Sequence, residues 1–334
     1  MVSDRHDHDT TVQPGTRAAS APVRPSTVTL PEQRPEGVRT LLDFVVRRFP
    51  NITPATWQAR FAAGEVWTTS GPVAAADPYR PLLELHYRRE VANEPPVRED
   101  LRVVWSDRAL MVVDKPPNLP VTPGGRWVRN CLLHLIAEAT GTTMVTPLHR
   151  LDRLTSGLVL LCLEPEARSH YGRLFQPTPL VDKVYTAVSE IRREPPGRCF
   201  ELAHHIARSP VEHWRQVVRP GAPANAHCEV ELLETRDDLA LLRLRPSTGR
   251  KHQLRVQLAA TGLPVLGDPL YGTEPSDGPD DGSRRLWLDG HRLGIHGFAG
   301  ADGVTLDAVW TSSREPGSFF GRALRVRRHG SPEG

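Results

Sequence analysis

A short run that holds one carboxylate among three basic side chains, directly before an apolar stretch, constrains this chain most. The run, residues 149–157, reads His-Arg-Leu-Asp-Arg-Leu-Thr-Ser-Gly, and residues 158–163 are all apolar. Six apolar residues with Val and Cys among them favour a strand that is covered on both faces. A loop fixed to such a strand is a rigid mount for a reactive group. Charge and spacing alone leave two interpretations about equally open, a surface ion pair or a catalytic carboxylate at Asp152.

Size and composition indicate a globular protein with room for two domains, since the chain has 334 residues, 39% hydrophobic and 24% charged. The formal net charge of +3 excludes a histone-like polycation but is compatible with an RNA-binding face. The four cysteines include no C-x-x-C pair, so we expect reduced packing residues and no metal site. No apolar run approaches a membrane span, and no apolar core follows the charged N-terminus. These features predict a cytoplasmic protein without a membrane partner.

The chain divides into four predicted segments. Residues 1–37, rich in Pro, Ser, Thr and charge, predict a disordered N-terminal tail. Residues 38–95 predict a small module in which two helices precede short strands. Residues 98–320 alternate strand and helix patterns and predict the main domain, which includes an acidic surface loop at 272–285. Residues 321–334 predict a basic C-terminal tail.

Four further segments combine charged residues with turn residues, in a fixed order along the chain. They are Asp-Lys-Pro-Pro-Asn-Leu-Pro-Val at 114–121, Lys-Val-Tyr-Thr-Ala-Val at 183–188, Pro-Ser-Thr-Gly-Arg-Lys-His-Gln-Leu-Arg-Val-Gln-Leu at 246–258, and Gly-Leu-Pro-Val-Leu-Gly-Asp-Pro-Leu-Tyr-Gly at 262–272. With the run at 149–157 they resemble the RluA-type family of pseudouridine synthases, over roughly residues 100–315. The family usually has Ala-Gly where this chain has Pro117-Asn118. Because Asn tolerates the left-handed backbone that Gly would supply, we expect no serious change there.

The resemblance implies both a fold and a reaction. The implied fold is α+β, with a mixed, mainly antiparallel central sheet flanked by helices, a cleft across its middle, and a small N-terminal α/β module. The implied reaction converts uridine in structured RNA to pseudouridine by breaking the C1′–N1 bond and forming C1′–C5. No atom is gained, so the reaction needs no cofactor and no metal. Since a stacked, paired uridine does not expose C1′, the target base must be flipped out.

The resemblance also assigns roles to individual residues. Asp152 is implied as the catalytic carboxylate, and an ionised carboxylate benefits from a cationic neighbour. Arg255 is implied as that neighbour, in a bidentate pair with Asp152 on a helix that opens at residues 249–250. Tyr185 is implied to stack on the uracil and to handle its C5 proton, and Arg150 to fill the space that the flipped base leaves. Without the resemblance, Arg255 would be a solvated helix charge and Tyr185 a core tyrosine.

Other basic residues are candidate RNA contacts, although most such side chains are solvated surface charges. We predict substrate-binding roles for four of them: Arg150, Arg153, Lys183 and Arg250. His149 and His252 are tempting acid–base candidates, yet the family assigns neither a proton-transfer role, so we predict structural roles for both.

Two alternatives to the isomerase stay open at this level. A base-releasing RNA glycosylase also uses a carboxylate at C1′, and a non-catalytic RNA-binding or folding factor can retain the same scaffold. The motifs do not encode the RNA target. Ribosomal RNA is slightly favoured over transfer RNA, and no protein partner is implied, so we expect a monomer. Residues 38–95 resemble a ribosomal-small-subunit-type RNA-binding module, but a packing module that binds nothing is equally compatible, because basic residues are sparse on the second helix.

Overall fold

A computed structural model describes residues 10–11, 25–50, 52–89, 91, 94–97, 101–142, 144–176, 180–212, 214–272 and 285–329. The chain divides into two compact units: a small one, Ser20–Glu94, and a large one that combines Met1–Ala19 with Pro95–Gly334. No described helix is both long enough and apolar enough to cross a membrane. Most of the predicted acidic loop, residues 273–284, lies outside the described residues.

Six α-helices, two short 3-10 helices and seventeen strands are defined within the described residues. The helices are α1 (Leu41–Arg48), α2 (Pro54–Ala62), α3 (Leu132–Thr140), α4 (Arg168–Gly172), α5 (Gln253–Thr261) and α6 (Pro316–His329). The strands are β1 (Thr10–Thr11), β2 (Ser26–Thr29), β3 (Val66–Thr68), β4 (Gly71–Pro72), β5 (Glu84–Tyr87), β6 (Arg102–Ser106), β7 (Leu110–Lys115), β8 (Thr146–Pro147), β9 (Ser156–Cys162), β10 (Val181–Glu190), β11 (Cys199–His204), β12 (Ile206–Arg208), β13 (Gln216–Val218), β14 (Ala226–Arg236), β15 (Leu239–Pro246), β16 (Leu288–Ala299) and β17 (Thr305–Thr311).

The small unit shares one hydrophobic core between α1, α2 and a sheet with the strand order β2-β5-β3-β4. Helix α1 begins with a capping box, in which the Thr40 hydroxyl accepts from the Asp43 amide at 3.1 Å. Helix α2 begins at Pro54 after the N-cap Thr53, as the sequence predicts. Strand β2 falls inside the predicted tail and differs from it, because it pairs with β5 and Leu30, which follows it, is fully buried.

The large unit is built on one mixed sheet of eleven described strands. Its main order is β1-β6-β7-β9-β16-β10-β15-β14-β11, with β8 paired to β9 and β17 to β16. Every pairing is antiparallel except β9 with β16. Strand β9 is the predicted apolar strand, and its alternating side chains enter two different hydrophobic clusters. The predicted α+β class and the predicted double-faced burial of this strand are both confirmed.

The C-terminal segment also differs from its prediction. Helix α6 covers most of the predicted basic tail. Phe319, Phe320, Ala323 and Leu324 are buried against Trp287 and neighbouring residues, which gives the helix an apolar face that the density of arginines conceals in the sequence.

Gly157 fixes the position of the strand that follows the Asp152 loop. Its φ is +116°, and an added Cβ would lie 2.4 Å from the backbone nitrogen of Gly290 on the parallel neighbour β16. Neither strand can approach the other this closely with a side chain at position 157.

We therefore expect Gly157→Ala to lower the free energy of unfolding by more than about 3 kcal/mol, from overpacking and backbone strain together. Gly297→Ala is the matched control, because Gly297 also has a positive φ, +61°, but has open space around it. We expect that control to lose only about 1 kcal/mol. Urea unfolding of both variants measures the difference, and equal losses would contradict the close-contact argument.

Candidate active site

A cleft of about 1040 Å³ lies over the middle of the large sheet. Its lining includes the Asp152 loop before β9, Leu288 on β16, Tyr185 on β10, Pro246 at the end of β15, and the start of α5. Strands β9, β16, β10 and β15 are adjacent in the sheet order. The cleft therefore brings segments that are distant in sequence to one place, as the predicted motifs require.

Asp152 lies on a tight loop at the floor of this cleft. The Thr155 amide donates to the Asp152 carbonyl at 3.1 Å, and strand β9 begins at the next residue, Ser156. Leu151 and Leu154 on either side are buried, whereas 26% of the Asp152 side chain is exposed. The carboxylate is thus held rigidly but stays accessible to a substrate.

Lys115 ties the Asp152 loop to the proline-rich segment. Its buried ammonium donates to the carbonyls of Pro116 at 2.9 Å, Leu119 at 2.8 Å and Arg153 at 3.2 Å. Burial lowers the pKa of Lys115 to about 7, and Arg314 adds to this effect, whereas Asp152 opposes it. Asn118 has a φ of 65°, which confirms that Asn adopts the left-handed backbone here. Nothing in the sequence pattern indicates that Lys115 joins the two loops.

Arg255 is the direct cationic neighbour of Asp152, but its principal partner is Asp268. Its Nε and Nη2 donate to the Asp268 carboxylate at 2.7 and 2.8 Å, while Nη1 donates to Asp152 Oδ2 at 3.2 Å. The expected bidentate pair with Asp152 is therefore wrong, because Nε and Nη2 of the guanidinium already bind the Asp268 carboxylate. Burial raises the pKa of Asp268, yet Arg255 and the amides of Leu270 and Tyr271 outweigh burial and hold it below its usual range.

Helix α5, which carries Arg255, begins at Gln253 and not at residues 249–250 as expected. The Gln253 side chain explains the later start. Its Oε1 accepts from the Thr248 hydroxyl at 2.9 Å and from the Arg250 amide at 3.0 Å, which holds the intervening residues in a turn. His252, the last residue of that turn, has a left-handed backbone with φ 55°.

His252 lies beside the Asp152 carboxylate, with its Nε2 4.0 Å from Oδ1. Burial lowers the pKa of His252 to about 4, although the Asp152 charge opposes this shift. Its Nδ1 is hydrogen-bonded to the Tyr271 hydroxyl at 2.8 Å. A neutral imidazole fixed in this way supports the walls of the cleft, which agrees with the structural role predicted for His252.

Tyr185 lines the cleft from β10, and its ring packs against two of the hydrophobic clusters. Burial raises the pKa of its hydroxyl well above the usual range, and the Asp152 charge adds to the shift. The phenol is therefore neutral at physiological pH. Its ring lies 3.5 Å from the place where a Cβ on Gly290 would stand, so the glycine leaves room for it.

The predicted RNA contacts separate into two groups. Arg150, Lys183 and Arg250 line the cleft, and burial lowers the pKa of Lys183. Arg153 is not among the described lining residues; it lies 4.6 Å above the ring of Trp127 and donates to Asn118 Oδ1 at 3.3 Å. Its substrate-binding role stays a prediction without a position in the cleft to support it.

A buried ionic network anchors β9 from below, and the sequence did not suggest it. Asp289 accepts hydrogen bonds of 2.6 Å from both Ser156 and Ser312. Arg314 lies 3.5 Å from Asp289 and is also hydrogen-bonded to Asp114. Because Asp114 follows four apolar residues in the buried strand β7, a carboxylate at that position was the available signal for a buried partner.

His149 is a structural residue at the edge of the cleft. Its Nε2 accepts from the Leu160 amide at 3.1 Å, and its ring centre lies 5.0 Å from that of Phe175. Burial, with the Lys183 charge as a smaller cause, lowers the pKa of His149 to about 3. A protonated ring would lose the acceptor that satisfies Leu160, so the neutral form belongs to the folded state.

The His149 pKa predicts a pH-dependent contribution to stability. Between about 3 and the ordinary value of 6.5, the unfolded chain binds more protons at this residue than the folded chain. The free energy of unfolding should therefore fall as the pH drops through this window. We expect His149→Gln, whose amide oxygen can accept from Leu160 without titrating, to lose less stability than the wild type between about pH 7 and pH 5. Parallel unfolding curves at the two pH values measure this, and identical losses would contradict it.

The cleft thus holds one carboxylate, Asp152, among the described residues that line it, together with five cationic side chains: Arg150, Arg168, Lys183, Arg250 and Arg255. A sequence profile of the RNA pseudouridylate synthase family matches residues 109–260. An uncharacterized RNA pseudouridine synthase of Synechocystis sp. is 31% identical over 256 residues, which cover 71% of this chain and 84% of that protein. The ribosomal large subunit pseudouridine synthase D of Nitrosomonas europaea is 34% identical over 192 residues, 56% of this chain and 54% of that protein.

Among solved structures, human RNA pseudouridylate synthase domain containing 1 superposes with a TM-score of 0.51 at 22% identity, over 72% of this chain and 100% of that chain. This likeness supports the fold alone. The sequence matches show that the chain belongs to the RluA-type family of RNA pseudouridine synthases. It is therefore an isomerase that acts on RNA, and neither the glycosylase nor the non-catalytic factor is favoured.

Proposed function

We propose that this protein flips specific uridines out of structured RNA and isomerises them to pseudouridine with Asp152 as the catalytic carboxylate. The observation that carries the proposal is the pairing of a half-buried Asp152 with a buried Arg255 in an open cleft. Arg255 donates to Asp152 Oδ2 at 3.2 Å, which orients a carboxylate that can act as nucleophile or base.

The carboxylate has two chemically balanced routes to the same product. In one, an Asp152 oxygen attacks C1′ as the C1′–N1 bond breaks, and C5 of the rotated uracil later displaces it. In the other, Asp152 removes the C2′ proton of the ribose as the C1′–N1 bond breaks, C5 of the rotated uracil bonds to C1′, and Asp152 returns the proton to C2′. Both routes end with C1′ bonded to C5, the C5 proton lost and a proton gained at N1, and both require that water be excluded from the reacting carbon.

Tyr185 and Arg150 fit the other steps of this proposal. The neutral ring of Tyr185 offers a flat face to a loose uracil, and aromatic stacking stabilises a base by about 1–3 kcal/mol. Arg150 is exposed and lines the same cleft as Asp152, with the buried Leu151 between them. Because Arg150 and Asp152 are two residues apart, extended backbone would place both side chains on the same side. Arg150 can then enter the RNA stack while the carboxylate faces the sugar.

We propose ribosomal RNA as the favoured target, ahead of transfer RNA. The name of the Nitrosomonas europaea relative supports this choice, while the motifs serve chemistry common to both targets. A monomer in the cytoplasm remains the expectation from the sequence. Pseudouridine maps of total RNA from cells with and without the gene test the target. A missing site in large-subunit ribosomal RNA supports the proposal, whereas sites missing only from transfer RNA overturn it.

A further inference from the structure

A two-stranded arm leaves the large sheet beside the cleft. It comprises β12, β13 and the loop between them, of which residues 209–212, 214 and 215 are described. The two strands pair with each other and with no other described strand. At the tip, 84% of Val211 and 60% of Trp214 are exposed, so the arm presents an indole ring to solvent. The ring therefore offers a flat apolar face to another molecule.

Hydrogen bonds join the described residues of the loop at the tip. The Ser209 amide donates to the Arg215 carbonyl at 3.0 Å, and the Arg215 amide donates to the Glu212 carbonyl at 2.8 Å. The Ser209 hydroxyl accepts from the Glu212 amide at 3.1 Å. These bonds join the two ends of the loop beside Trp214.

The charge around the tip is positive. Glu212 is the acidic residue of the loop, and it is paired with Arg215 at 3.1 Å. Lys251 donates to the Trp214 carbonyl at 2.9 Å. Burial lowers the pKa of Lys251, and the charges of Arg208 and Arg150 lower it further, whereas the Asp152 charge opposes the shift. Arg208 is exposed and forms no ion pair with any residue that the structure describes.

The arm is continuous with the catalytic cleft. The Gln216 amide on β13 donates to the Tyr271 hydroxyl at 2.9 Å. The same hydroxyl is hydrogen-bonded to His252 at 2.8 Å, and His252 lies 4.0 Å from Asp152. The Tyr271 and His252 side chains thus link β13 of the arm to the catalytic cleft.

We propose that the arm binds the RNA strand next to the target uridine, with an unpaired base stacked on Trp214 and phosphates bound by Arg208 and Lys251. The inference rests on the proposed function, because the strand is the one that delivers the uridine to Asp152. An exposed indole beside cationic side chains is a combination that binds single-stranded nucleic acid, since every base has a face to stack and every nucleotide a phosphate. The preference is for RNA over a protein because Arg208, Arg215 and Lys251 belong to the arm or contact it, while its acidic residue, Glu212, is paired with Arg215.

Photocrosslinking to poly(5-bromouridylic acid) tests the contact on the full chain. Halogenated uracils crosslink to aromatic rings on which they stack, so irradiation should attach a nucleotide to the peptide that contains Trp214. In equilibrium binding to poly(U), we expect Trp214→Ala to weaken affinity about five- to hundred-fold and Trp214→Phe to retain most of it. Val304→Ser is the control, because Val304 is an exposed apolar residue, 48% exposed, elsewhere in the large unit.

The outcomes separate this inference from the proposed function. Wild-type affinity for poly(U) in Trp214→Ala, together with no adduct at Trp214, overturns the inference. This is also the result expected if the arm binds a protein partner. An equal loss of poly(U) affinity in Val304→Ser overturns the inference as well. Pseudouridine formation by the wild type is measured on the same preparations. If the wild type converts RNA while Trp214→Ala behaves like it, only the arm is wrong. If the wild type converts no RNA, the proposed function fails, whatever the arm binds.

Discussion

Asp152→Asn is expected to abolish pseudouridine formation, with a loss of at least about a thousand-fold in turnover, because an amide is neither a nucleophile nor a base at neutral pH. RNA affinity and stability should change little. The side chain is partly exposed and keeps its shape, and it receives one hydrogen bond of 3.2 Å from Arg255. Arg255 also retains both bonds to Asp268, so no buried charge is left alone.

Single-turnover assays with excess enzyme, together with RNA binding and thermal unfolding, measure these quantities. Asp182→Asn is the control, because that carboxylate is 41% exposed and lies 3.8 Å from Arg292 on the surface of the large unit. The control should match the wild type in all assays. A variant at Asp152 that binds RNA poorly, or that unfolds easily, would show that the residue has a structural role instead.

Asp268→Asn is expected to lower both the free energy of unfolding and the turnover strongly, although it leaves Asp152 itself intact. Asp268 is fully buried and holds the Arg255 guanidinium with two bonds. Removing one partner of a buried ion pair costs about 3–5 kcal/mol, because the other charge stays buried with less compensation. A guanidinium freed on one side can also shift toward Asp152, and a misplacement of about 1 Å costs about a hundred-fold in rate.

Denaturant unfolding and turnover at a temperature where the variant stays folded measure the two effects separately. Asp182→Asn is again the matched control, a carboxylate–arginine pair on the surface, for which we expect less than about 1 kcal/mol. Equal stability losses in the two variants would refute the claim that Asp268 supports a buried charge. Full activity in folded Asp268→Asn would show that Asp152 does not depend on a fixed Arg255.

Much of the local structure was predictable because local rules specify it. Strand β9 follows from an unbroken apolar run, and helix α2 from a Thr-Pro start, so periodicity and capping sufficed for both. Strand β2 and helix α6 were missed because a few apolar side chains, such as Leu30 and Phe319, become buried only through tertiary contacts. Their sequences are dominated by small polar residues in one case and by arginines in the other, which conceals the apolar face.

The site was predictable in its members but not in its geometry. Asp152, Tyr185 and Arg255 do line one cleft, as the ordered motifs imply. The bidentate partner of Arg255 was assigned wrongly, because two aspartates lie within its reach and spacing along the chain does not choose between them. The joining role of Lys115 was not visible either, since its acceptors are backbone carbonyls, which no side-chain pattern reveals.

The exposed arm illustrates a further limit. A tryptophan in a sequence usually indicates a buried core residue, and nothing adjacent to Trp214 marks it as exposed. Only the fold of residues 206–218 and the bonds that close their loop place the indole at a surface.

Nucleoside analysis of one RNA substrate after treatment with the wild type and with Asp152→Asn tests the central claim most directly. For the wild type, the pseudouridine gained should equal the uridine lost, with no free uracil released. For Asp152→Asn, uridine should remain unchanged although the RNA is bound. Pseudouridine formed by Asp152→Asn at a rate near that of the wild type would contradict the assignment of the catalytic carboxylate, and free uracil from the wild type would contradict the isomerisation itself.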